Sequence, residues 1–298
     1  MKCIVLFGYL LWLLIKNCAV ATETEVVRVF VEDEKELNAL ISNSQPHNIA
    51  AATNQLLFAK IKNAKVEFVG ASHKKALHTM RSQSNAVCAL NKVKNRQRLA
   101  EFSFSLPVNI YISRRLYHHS DAAPLAAEVL NSAGEIISLK KLFEVYPDKP
   151  LLLSDTISYG SFFDHELAQL PAQHKTYLAG RSYYQTVHRL FESRRVDFLL
   201  GFPVEVLQYG SKDQSLYRPY VVANSPKANI GFVMCNQHKA SKALLAKIDQ
   251  ALKSLYTEEA FYKAHLHFLP KQDHEEINEL IQQVTEINSF SSRLSQRP

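Results

Sequence analysis

No Gly-x-Ser-x-Gly elbow interrupts this sequence, and the two cysteines beyond residue 18 lie on apparent strands instead of beside an activating histidine, so the common serine and thiol nucleophiles are missing. Twelve histidines are present, yet His118-His119, His165-Glu166 and His265-x-His267 supply no full ligand set. His165-Glu166-Leu-Ala-Gln169 ends in glutamine where a zinc protease needs its second imidazole. No metal, no cofactor and no enzyme are expected. Short repeats, Gly-rich linkers and low-complexity blocks are absent, which excludes a repeat array. Arg114-Arg115 and Arg194-Arg195 are isolated pairs, not a basic stripe interleaved with aromatics. They read as solvated surface, with no nucleic-acid site. Beyond the first residues, no apolar run comes near the roughly 20 residues that a spanning helix requires.

The exception at the start is informative. Lys2 precedes an apolar run of 13 residues, Cys3 to Ile15, followed by Lys16, Asn17 and the small-residue triplet Ala19-Val20-Ala21. This is the layout of a signal peptide cut after Ala21, with an uncleaved anchor as the alternative, and the mature chain is expected in the periplasm. Cys18 does not mark a lipid anchor, because Ile15, Lys16 and Asn17 precede it instead of small residues. Losing Lys2 and Lys16 and no acid lowers the formal charge from +7 to +5. The remaining 277 of 298 residues suffice for two lobes of ordinary size. Only Cys88 and Cys235 then reach the oxidising compartment, and an even count points to a disulfide. The alternative is two free cysteines buried as small hydrophobes.

Along the chain, apolar periodicity alternates between strand and helix. Strands are expected at Val26 to Val31, Lys65 to Val69 and Asn85 to Leu90, with helices at Ile49 to Ile61 and Ser72 to Ser82. The pattern resumes with strands at Pro150 to Ser154, Lys175 to Leu178 and Val196 to Leu200, and helices at Ser161 to Leu170 and Ser182 to Ser193. Such alternation argues for parallel sheets with helical crossovers in two lobes of one α/β class. Asn229 to Cys235 is a further strand, Ser241 opens a helix with Leu244, Leu245, Ile248, Leu252 and Leu255 on one face, and Thr257 caps another that closes before Pro270. The tail from Lys271 reads as polar and partly helical.

The segment Arg98-Leu-Ala-Glu-Phe-Ser-Phe104-Ser105-Leu-Pro107 resembles the Thr-x-x-Arg motif and following Phe-Ser-x-Pro of the family 3 solute-binding proteins, the type II periplasmic binding fold of amino-acid ABC transporters. Arg195-Val196-Asp197-Phe198 is similar to the family's second-lobe strand, and Glu258 to Pro270 to its closing helix. Cys88 and Cys235 match cysteines at comparable places in a divergent branch of unassigned ligand. The resemblance implies two doubly wound lobes joined by two hinge crossings, near Ile110 to Arg114 and Tyr217 to Asn224. Residues 22–112 and 220–298 would form lobe one, and 113–219 lobe two. Departures are as clear. Asn95 stands for the motif's threonine, Val108 for the tyrosine after the proline, and Glu32 to Lys35 for the aromatic loop over the ligand. Phe202 and Pro203 occupy the neighbourhood of the aspartate that holds an ammonium group, so amino-acid specificity does not carry over.

Five residues are candidates for the ligand. Arg98 offers a guanidinium that can fork onto a carboxylate or phosphate, against the plain alternative of a surface arginine near a helix start. Thr156, Ser158 and Tyr159 lie in a strand-to-helix segment, Ser154 to Ser161, whose amides and hydroxyls can receive an anion, unless Ser158 or Ser161 simply caps the helix. Glu205 is a substitute for the missing acid, against the usual exposed glutamate. The function this implies is a monomeric periplasmic receptor that captures a small polar or anionic solute for an ABC permease. The alternative is a sensor or assembly module on a degenerate cleft.

Overall fold

The computed structural model describes residues 25–294, apart from 83, 155–158, 179–182 and 212, and without the side chains of 183 and 287–294. The chain begins with β1 (Val27–Val31), α1 (Glu34–Ser42), α2 (Ile49–Lys60), β2 (Val66–Gly70), α3 (His73–Ser82) and β3 (Val87–Lys92). There follow α4 (Arg96–Glu101), β4 (Ser103–Phe104) and β5 (Asn109–Ile112). Alternation along β1 sets the layers: Val27, Val29 and Val31 face one core and Phe30 the other. The first core takes Ile49 and Leu57 of α2, and the second takes Ala76 and Met80 of α3. A sheet covered on both faces is what helical crossovers between parallel strands produce.

A second set of elements lies between β5 and the return. It comprises β6 (Arg115–His119), α5 (Leu139–Val145), β7 (Leu151–Ser154), α6 (Ser161–Ala168), β8 (Lys175–Leu178), α7 (Tyr183–Glu192), β9 (Phe198–Gly201), α8 (Pro203–Tyr209) and β10 (Tyr217–Tyr220). Here too the strands are coated twice. Leu116, Leu151, Leu153, Phe198 and Leu200 pack with Leu142 and Phe143 of α5 and Phe163 of α6, while Tyr117, Leu152 and Leu199 pack with Val187 and Phe191 of α7. The chain then runs through 221–227 into β11 (Ala228–Cys235), α9 (Lys239–Leu255), α10 (Glu259–Leu266) and α11 (His274–Leu294).

Among the described residues the first sheet has the order β2-β1-β3-β11-β4, with β5 also paired to β11. The second has the order β10-β6-β9, beside a parallel β7-β8 pair. Two α/β lobes are thus joined by two crossings. One is Ser113 and Arg114 between β5 and β6, and the other is 221–227; Ser113 N donates to Lys227 O at 3.0 Å, tying the crossings together.

Several expectations need correction. The sheets are not all parallel: β2-β1-β3 are parallel, but β11 runs antiparallel to β3 because it enters from the opposite lobe, and β6 runs antiparallel to both β10 and β9. A helix that the periodicity did not assign, α1, starts at Glu34 within the Glu32 to Lys35 stretch, where Asp33 caps it by accepting from Glu36 N at 2.7 Å. Thr257 does not cap α10. Glu258 is the cap residue, and the Thr257 hydroxyl donates to Ser254 O instead. Helix α9 opens at Lys239 behind His238, and Ser241 is buried, donating to Asn236 Oδ1 at 2.6 Å. The tail is not simply polar, for Ile277, Leu280 and Ile281 of α11 join the first core.

The bridge between Cys88 and Cys235 is present. The cysteines sit opposite each other on β3 and β11, fully buried in the first core.

Candidate functional site

In open α/β sheets, side chains at the carboxyl ends of the strands point into the crevice where ligands bind. In the first lobe these ends carry a chain of charges. Lys92, at the end of β3, is buried and its ammonium is paired with the Glu32 carboxylate just after β1. His73 Nδ1, at the start of α3, lies 3.0 Å from Glu32 Oε1. Burial alone would push the Glu32 carboxyl up, but the hydrogen bond and charge of Lys92, helped by His73, hold it below its ordinary value. Burial also pulls Lys92 down, only partly opposed by Glu32.

Arg98 completes this chain. Asn95 caps α4 by accepting from Arg98 N at 2.8 Å, so the departure from the threonine of the resembled motif keeps its local geometry. The half-buried guanidinium is turned onto its own lobe: Nη1 donates to Val93 O at 2.9 Å, and Nη2 lies 3.1 Å from His73 Nε2. Beneath the rim Asn54 and Asn91 donate to the two Glu36 carboxylate oxygens at 2.7 and 2.8 Å. Burial pushes that carboxyl up to about 7 despite those bonds.

The second lobe presents a different wall. Ser154 N, ending β7, donates to the Tyr159 hydroxyl at 2.9 Å, and Tyr159 N donates to Asp164 Oδ1 at 2.8 Å. At the start of α6 Gly160, not Ser161, is the cap residue, with φ 91°. After β9 the chain turns at Phe202 into α8, and Glu205 reaches back to accept from Phe202 N at 2.9 Å. Glu205 is therefore buried, 8% exposed, and not the usual surface glutamate. Burial pushes its carboxyl up, opposed chiefly by Arg114.

Arg114 is the residue that the sequence did not disclose. It and Arg115 are buried, correcting their reading as solvated surface. Its guanidinium lies 4.0 Å from the centre of the Phe202 ring and 4.8 Å from that of Tyr159. Nη1 is 3.8 Å from Glu205 Oε1, and the Arg114 guanidinium donates to the Tyr184 hydroxyl. Arg115 donates to Asp273 Oδ1 at 2.6 Å and pairs with Glu276, linking the start of β6 to α11 beside a cavity of about 350 Å³ behind the crossings. The guiding signal was positional: an arginine pair directly after the strand that leaves the first lobe.

Of the sequence candidates, Tyr159 and Glu205 therefore meet at Arg114, while Arg98 belongs to the first lobe with His73, Lys92 and Glu32. Thr156 and Ser158 lie outside the described residues. The two rims can offer an anion-binding cation from the first lobe and aromatic faces from the second.

No family model matches the sequence, and no curated protein matches it. Solved structures do. The probable amino-acid ABC transporter extracellular-binding protein YtmK from Bacillus subtilis aligns over 84% of this chain and 100% of its own, at 14% identity and a TM-score of 0.55. The unliganded, open L-cystine solute receptor of Neisseria gonorrhoeae aligns over 83% of this chain and 94% of its own, at 15% identity and a TM-score of 0.51. A histidine kinase sensor domain with similarity to periplasmic binding proteins aligns over 82% and 96%, at 14% identity and a TM-score of 0.51. At this level of identity the likeness is one of fold. With two α/β lobes, two crossings and these neighbours, the chain has the type II periplasmic binding fold.

Proposed function

We propose that this is a periplasmic solute-binding protein that closes two lobes around a small polar or anionic solute and performs no chemistry on it. The observation that carries this reading is the set of groups at the strand ends of each lobe: Lys92, His73 and Arg98, with Glu32, on one, and the Tyr159, Phe202 and Arg114 wall on the other. Residues 22–112 and 220–298 serve as one lobe and 113–219 as the other, with the two crossings as the hinge. Arg98 meets the anionic group of the solute, and Thr156, Ser158 and Tyr159 supply hydrogen bonds from the second lobe. Glu205 holds Arg114 in place behind them. The transport neighbours support delivery to an ABC permease, with the chain exported by a leader cut after Ala21.

A second reading is a sensor module, and one observation favours it. The cations of the first rim are already engaged within their own lobe, and Phe202 stands where the resembled family keeps an acid. The sensor-domain neighbour shows that the fold occurs in that setting. Screening the purified mature protein by thermal unfolding against amino acids, dicarboxylates, phosphates and neutral sugars separates the two. A solute receptor gains about 2.7 kcal/mol at 100 times the dissociation constant, read as a saturable rise in Tm. A folded protein that no solute stabilises refutes the receptor reading.

A further inference from the structure

Phe202, Tyr159 and Glu205 together make a receptor for a flat cation. An aromatic face 4.0 Å from a guanidinium, a second ring at 4.8 Å and a buried carboxylate at 3.8 Å are the groups that hold arginine-like and ammonium ligands in proteins. Here the chain itself supplies the cation. A structural arginine–carboxylate pair normally forms a forked bond at about 2.7–2.9 Å. Arg114 does not: its separation from Glu205 exceeds a hydrogen bond, and its buried Nε has no acceptor among the described residues. Ring faces, the charge of Glu205 and one hydrogen bond to the Tyr184 hydroxyl hold the guanidinium, as they would hold a ligand.

We infer that Arg114 is a tethered occupant of a cation box in the second-lobe wall, and that the solute of this cleft is neutral or anionic because the box is already filled. Arg114 is one of only two residues between β5 and β6, so the occupant is mounted on the hinge itself. The solute class rests on the proposed binding role, whereas the box and its occupant do not depend on any solute.

Arg114→Ala empties the box, and methylguanidinium is the probe. In thermal unfolding, the variant is expected to show a saturable rise in Tm with millimolar methylguanidinium chloride that sodium chloride at equal ionic strength does not reproduce. The wild type shows none. Adding Glu205→Gln to the variant weakens the response by about tenfold or more, through loss of the carboxylate. A folded Arg114→Ala protein that ignores the probe overturns the inference, and so does an equal response in the wild type. Should the variant not fold, the wild-type Arg114 Nε–H signal decides, assigned with Arg114→Lys: slow exchange with water and a ring-current shift support the box, and rapid exchange at an unshifted position overturns it. Rescue by methylguanidinium without any solute in the screen would sink the receptor reading and leave the box standing.

Discussion

Replacing Cys88 and Cys235 together with alanine removes a cross-link between positions 147 residues apart. The loop it closes contains the whole second lobe, yet the bridge itself ties β3 to β11 inside the first core. Confining a loop of that length in the unfolded chain stabilises the native state by about 5 kcal/mol on the chain-entropy account. Both sulfurs are fully buried, so the packing lost with them adds to the cost. Guanidinium unfolding followed by far-UV circular dichroism reads the effect. With a slope of about 5 kcal/mol per molar, the midpoint of the double variant should fall by about 1 M. A midpoint within about 0.2 M of the wild type would refute the reasoning, since it would mean that the unfolded chain is as confined without the bridge as with it. Two reactive thiols in wild-type protein unfolded without reductant would remove its premise.

Three further outcomes follow from the site and the leader. Glu36 keeps its proton to about 7 in the folded protein and loses it at the ordinary carboxylate value when unfolded, so stability should fall as pH rises through that window. In Glu36→Gln that decline should shrink by about 3 kcal/mol between pH 4.5 and 8, measured by urea unfolding at each pH; parallel curves for the two proteins would contradict the buried acid. Arg98→Ala should weaken solute binding by about 1.5 to 3 kcal/mol in calorimetry with the circular dichroism unchanged, and equal affinity in two folded proteins would take Arg98 out of the site. N-terminal sequencing of protein from the periplasm should begin at Thr22, and full-length chain in the membrane fraction would contradict export by cleavage.

Much of the fold was legible because its signals are local. The apolar alternation of Val27 to Val31 and the helical stripe of Leu244, Ile248, Leu252 and Leu255 each announce their element within a few residues. What escaped was decided at a distance. The direction of β11 depends on which lobe the chain returns from, and periodicity is the same in either direction. Arg114 and Arg115 look like surface charge until Phe202 and Asp273, 88 and 158 residues further on, are brought against them. Glu205 is buried because the turn at Phe202 needs an acceptor for its N–H, which no spacing rule ranks above the exposed default. Helix α1 was hidden by its charged first turn, although Asp33 followed by Glu34 and Glu36 is a start signal in its own right. Arg98 was found through its neighbours in sequence, and its engagement with Val93 and His73 was not.

The central claim is closure of two lobes on a solute, and small-angle X-ray scattering tests it most directly. The protein should be titrated with whichever solute stabilises it most in the thermal screen. The account predicts a radius of gyration that decreases saturably, with a midpoint equal to the calorimetric dissociation constant, because both crossings must bend to bring the rims together. Scattering curves that superimpose with and without saturating solute would contradict it.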